Sequence, residues 1–120
     1  MSEKKIGIIN RSGPHGTANG RESLDLTLAL SAYNESLSLF FIGDGVYQLI
    51  KVHETEDILQ KNFQPLFKML EMYDVEQIYV CSESLKQRGL ATAQLLIEVS
   101  LLDSQQLQVN LALQDQLLNF

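Results

Sequence analysis

Apolar positions along this chain fall into short blocks that alternate between strand-like and helix-like spacing. Lys5–Asn10 is compact, with Ile6, Ile8 and Ile9 β-branched, the pattern of a buried strand. From Arg21 to Tyr33, the residues Leu24, Leu26, Leu28, Ala29, Leu30 and Tyr33 wrap most of a helical circumference. A helix apolar so far round is covered on several sides. Leu37–Ile42 reads as a second strand, closed by Gly43-Asp44-Gly45, and a short helical segment follows through Val46, Leu49 and Ile50. His53–Lys61 is polar and reads as a loop with a helical turn. Phe63, Leu66, Phe67, Leu70 and Tyr73 recur at helical spacing opposite Lys61, Gln64, Lys68 and Glu71. Pro65 stands in the first turn of that helix, where a missing N–H is tolerated.

Gln77–Cys81 is expected to be a third strand, and Ser82–Arg88 a short helix with Ser82 as N-cap and Gly89 as its stop. Leu95–Val99 is expected as the fourth strand, Asp103–Leu113 as a helix opened by Asp103 or Ser104, and Gln116–Phe120 as a fifth strand at the sheet edge. Neither repeat nor linker interrupts the series. Strands alternating with helices predict an α/β domain, a mainly parallel sheet of roughly five strands with helices on both faces. The pattern leaves the strand order open.

Length and charge narrow the function classes. The 120 residues fit a single domain spanning 1–120, and no apolar stretch approaches the roughly 20 residues of a membrane helix. The lysines at Lys4 and Lys5 precede an apolar run too short for a signal peptide, so a cytoplasmic location is expected. Nine basic against fifteen acidic side chains give a net charge of −6. Nucleic-acid affinity comes largely from neutralised phosphates, so direct nucleic-acid binding is not expected.

Between the first strand and the first helix lies a glycine-rich loop, "RSGPHGTANG", at the strand end where ligands of α/β sheets gather. It has the layout of a phosphate cradle without the residues of one. A P-loop requires a lysine after its second glycine, and here Thr17 and Ala18 follow Gly16. Gly13, Gly16 and Gly20 also miss the Gly-x-Gly-x-x-Gly spacing of a dinucleotide fingerprint. Ser12 and Thr17 keep open a looser flavin or phosphate site over Ser12–Gly20, against the plainer reading of a tight turn crossing the sheet edge. His15 and His53 have no second ligand at metal spacing, and no metal site is expected.

One cysteine, Cys81, excludes an internal disulfide. It ends the third strand just before a helix start, a place that favours thiolate, and Lys86 and Arg88 follow closely. A lone cysteine after Tyr79 and Val80 is also what a small buried hydrophobe looks like. With no His/Asp constellation beside it, reactivity would mean sulfur or redox transfer rather than acyl transfer.

Three separated blocks, "PHGTANGRESLD" (Pro14–Asp25), "LFFIGDGVYQLI" (Leu39–Ile50) and "YDVEQIYVCSESLKQRGL" (Tyr73–Leu90), resemble the DsrE/DsrF-like sulfur-relay family, closest to its DsrF-type subunits. The resemblance runs from about Lys5 to Leu90 and is looser beyond. It implies a flavodoxin-like domain working in a cytoplasmic hetero-oligomer with TusB-like and TusD-like subunits. Such complexes pass persulfide sulfur to a TusE-like acceptor, toward 2-thiolation of the wobble uridine of tRNA. No cofactor is implied. The persulfide cysteine of such complexes is held to belong to the TusD-like subunit, which favours a mainly structural, non-catalytic role here over Cys81 as a second carrier. Ser12, His15, Thr17, Arg21 and Tyr47 are candidates for the rim or a partner-facing edge, and Tyr47, Leu49, Ile50, Phe63 and Phe67 for either an apolar docking face or core packing. The rival reading is a small flavodoxin-like module binding a flavin or phosphate at Ser12–Gly20.

Overall fold

The computed structural model describes residues 4–12, 19–33, 36–50, 68–70, 72, 75, 77–90, 95 and 97–120, with residues 19–21 described by backbone alone. Its elements run β1 (Lys5–Asn10), α1 (Asn19–Ser31), β2 (Ser36–Phe41), a 3-10 helix (Gly43–Leu49), β3 (Gln77–Cys81), α2 (Ser82–Gln87), β4 (Ser100–Leu102), α3 (Ser104–Ala112) and β5 (Gln116–Asn119). All five strands join one sheet in the order β4-β3-β2-β1-β5, and every pairing is parallel. The expected α/β class and parallel sheet are what the chain forms.

The strand order decides which helix covers which face. β1 to β4 step across the sheet in one direction, and the chain then returns to set β5 beside β1. With right-handed crossovers, that reversal moves the last connection to the opposite face. The core divides accordingly. On one face Ile6, Ile8, Leu37, Leu39, Phe41, Ile78 and Val80 pack with Leu24 of α1, Val46 and Leu49 of the 3-10 helix and Leu85 of α2. On the other, Ile9, Phe40, Cys81 and Leu102 pack under Leu107 of α3, with Tyr79 and Leu111 at the margin. Because strand side chains alternate between faces, neighbours such as Leu39 and Phe40 serve different cores.

Two local devices position the rest. On the α3 face Gly7 has no side chain, and a Cβ there would sit 2.7 Å from a Leu117 methyl, 2.9 Å from Gln114 and 3.1 Å from the Phe40 ring. Those three side chains therefore meet above Gly7. At the start of α3, Asp103 accepts a hydrogen bond from the Gln106 backbone N–H at 2.8 Å, while the Gln106 side chain accepts from the Asp103 N–H at 3.0 Å. This reciprocal capping box satisfies two otherwise orphaned donors and confirms Asp103 as the residue that opens the helix.

Several boundaries differ from expectation. Leu95–Val99 is not the fourth strand: Leu95 makes an isolated antiparallel bridge to Ile50, and Ile97 and Val99 pack on the core beside the sheet. The chain enters the ladder only at Ser100, opposite Tyr79. Apolar, β-branched residues were the signal there, and packing uses them without a ladder. Cys81, not Ser82, occupies the N-cap of α2 and gives it no side-chain hydrogen bond. Gly89 ends the helix as expected, in the left-handed region at φ 69°. The polar stretch His53–Lys61 and the first half of the helix expected over Phe63–Tyr73 lie outside the described residues; 68–70 and 72 are helical.

Candidate functional site

The carboxyl ends of parallel strands are where an α/β sheet places its chemistry, most of all between neighbouring strands whose outgoing connections leave toward opposite faces. In this sheet those neighbours are β3 and β4. The chain leaves β3 through α2 on one face and leaves β4 through α3 on the other. The residues that end the two strands, Cys81 and Leu102, stand in register across that point. The lone thiol thus ends one wall of the switch-point crevice, a placement that depends on strand order.

The crevice is closed. Ser82 reaches across it, its hydroxyl donating to the Leu102 carbonyl at 3.1 Å. Cys81 is 6% exposed and packs among Ile9, Phe40, Leu102 and Leu107. Its neighbourhood is hydrocarbon, with the Phe40 ring stacked on Tyr79 at 5.3 Å between centroids. The two cations that follow in sequence have other partners. Lys86 lies 3.8 Å from Glu83, and Arg88 gives its Nε and a guanidinium N–H to Asp44, each at 3.0 Å, and another N–H to the Ser84 carbonyl at 3.2 Å.

That arginine belongs to a network holding the 3-10 helix against the strand ends. Gly43 adopts the left-handed conformation at φ 58°, where a side chain is strained, and its N–H donates to the buried Ser84 hydroxyl at 2.9 Å. The Ile42 N–H donates to the Asn10 carbonyl at 3.0 Å, and a Cβ on Gly45 would collide with that same carbonyl oxygen. Asn10 is buried and its amide donates to the Phe40 carbonyl at 3.4 Å. Gln48, also buried, donates from Nε2 to the Ser12 carbonyl at 2.8 Å. These contacts tie the ends of β1, β2 and β3 together through one short segment.

The candidates read from sequence are distributed unevenly over this rim. Ser12 is half-buried and held by Gln48; Tyr47 stands on the 3-10 helix with 41% of its surface exposed. His15 and Thr17 lie outside the described residues, as do Phe63 and Phe67, and Arg21 is placed only as backbone within α1. Leu49 is no part of an outward apolar face: it is fully buried, and Ile50 packs half-buried against the same core. Leu49 lies one 3-10 turn after Val46, on the side of the helix that faces the core. Asn10, Gln48, Ser84 and the Asp44–Arg88 pair were not anticipated. The two halves of that pair are separated by 44 positions, and no local pattern links them.

Comparison with known proteins gives one consistent picture. The model of the DsrE/DsrF-like family matches residues 4–120. A TusC homolog of Vibrio vulnificus (strain CMCP6) is 51% identical over 116 residues, covering 97% of this chain and 98% of its own length. The TusC homolog of Vibrio parahaemolyticus is 50% identical over the same share of both chains. Protein TusC of Buchnera aphidicola is 41% identical over 118 residues, 98% of this chain and 99% of its own. Among solved structures, the ychN protein of E. coli superposes with a TM-score of 0.81 at 25% identity, covering 98% of this chain and 99% of its own. Among the described residues, no helix is long and apolar enough to cross a membrane.

Proposed function

Because the chain belongs to the DsrE/DsrF-like family and is TusC-like over nearly its whole length, we propose that it is a mainly structural subunit of a cytoplasmic sulfur-relay complex for tRNA thiolation. Its partners in this reading are TusB-like and TusD-like subunits, and the sulfur leaves through a TusE-like acceptor toward the wobble uridine.

The seating of Cys81 carries the structural role. In a relay, a thiolate attacks the outer sulfur of an incoming persulfide and the donor leaves as its own thiolate. The sulfane sulfur then stays on the new cysteine until the acceptor thiolate attacks it in turn and restores the thiol. Each attack requires an accessible, ionised sulfur. A thiol 6% exposed among Ile9, Phe40, Leu102 and Leu107 lacks that access. The rim network from Asn10 to Arg88 suits a scaffold, since it fixes one geometry at the strand ends.

The test uses the assembled complex. Cys81→Ser is expected to co-elute with the TusB-like and TusD-like subunits and to leave sulfur transfer to the acceptor unchanged. Lost transfer from an intact complex would make Cys81 a carrier and overturn the structural role. If the unaltered chain fails to co-elute with those partners, the subunit reading itself falls.

A further inference from the structure

Charge is distributed unevenly over this acidic chain. Ser104–Gln114, the whole of α3 and the turn after it, contains no Asp, Glu, Lys or Arg. Leu107 and Leu111 point to the sheet, which leaves the opposite side of the helix to solvent. There Val109 and Leu113, one turn apart on a common stripe, are 57% and 55% exposed. Around them stand Gln105, Gln108 and Ala112, also exposed and also uncharged. The tract continues onto the sheet edge, where Leu117 of β5 is 42% exposed and meets Gln114 above Gly7.

The two acids bordering the tract are turned onto backbone. Asp103 caps α3 through the Gln106 N–H, and the Asp115 carboxylate accepts from the Lys5 N–H at 2.8 Å. Exposed α1 and α2 positions differ: Glu22, Asp25 and Lys86 place charge there. An ordinary solvated helix has a charged outer side. Interface cores are depleted of charge and more apolar than the rest of the surface, with a polar rim around them.

We propose that the outer side of α3, with Leu117 of β5 beside it, is the surface on which a neighbouring subunit of the relay complex docks, through an apolar face that is itself uncharged. The inference rests on the subunit reading above. The chemistry of the surface selects that occupant. A polyanionic partner such as tRNA finds no phosphate-pairing Lys or Arg on this tract, and a charged protein face would leave its ions unpaired against it. Val109 and Leu113 supply the buried apolar centre, and the glutamines supply rim hydrogen bonds.

Val109→Glu with Leu113→Glu tests it in co-purification with the TusB-like and TusD-like subunits. Both residues are exposed, so the double variant is expected to keep the circular dichroism spectrum and melting temperature of the parent. Glu22→Lys on α1 serves as the charge-changing control. The expected result is loss of co-elution, or at least about tenfold weaker assembly, for the α3 variant alone. Intact assembly by a folded α3 variant would overturn the proposal and leave the subunit reading standing, whereas failure of the unaltered chain to assemble would remove both. If the variant instead disrupts a homodimer and spares the mixed complex, the surface takes a second copy of this chain and the proposal is overturned.

Discussion

The two faces of the sheet are built on different terms. One is covered by α1, the 3-10 helix and α2, and its strand residues Ile8, Leu39, Phe41 and Val80 are at most 1% exposed. The other has α3, from which Leu107 alone is buried. Its strands contribute Phe40 and Cys81 at one end but Ser38 and Gln77, hydrogen-bonded at 2.8 Å, at the other. Stability scales with apolar area removed from water, so the first face holds the fold. The second is thinner, carries the cysteine, and turns an uncharged helix outward. The difference separates a face closed by several packed elements from one closed by a single helix whose outer side carries no charge.

Truncation across the sheet gives the sharpest contrast. Phe41→Ala removes a ring buried to 1% in the larger core and is expected to cost about 3–5 kcal/mol in urea unfolding. Leu107→Ala removes the single fully anchored side chain of α3 and is expected to cost about 2 kcal/mol, the lower end for such a change, because a nine-residue helix can settle onto the space. Equal losses would dissolve the distinction between the faces. Asp103→Ala unmakes the capping box without touching either core. About 1 kcal/mol is expected, accompanied by faster amide exchange in α3 and unchanged protection in α1. Uniform loss of protection would show that α3 is as integral to the fold as the other helices.

Much of this was legible in the chain. The alternation of Ile-rich and Leu-rich blocks marked β1, β2, β3 and α1, because buried strands and covered helices leave short-range periodic signatures. The start of α3 was legible to within one residue, as Asp103 or Ser104, and the capping box of the folded helix settles on Asp103. β4 was misplaced by its neighbours: Ile97 and Val99 have the composition of a strand and the packing of a loop on the core. The rim network left no trace either. Gly43, Ser84, Asp44 and Arg88 find one another only after two strands have paired.

What the sequence by itself determined is the class of fold, the family, and a single cysteine at the end of a strand, since each rests on local pattern or on residue identity. The tertiary structure decided the meaning of that cysteine. The order β4-β3-β2-β1-β5 puts Cys81 at the switch point, and strand alternation turns it toward the thinner face, under Leu107. Ser82 then closes the crevice against Leu102. Sheet order and facing arise from contacts between residues far apart in the chain, and no local spacing encodes which partner a strand will choose.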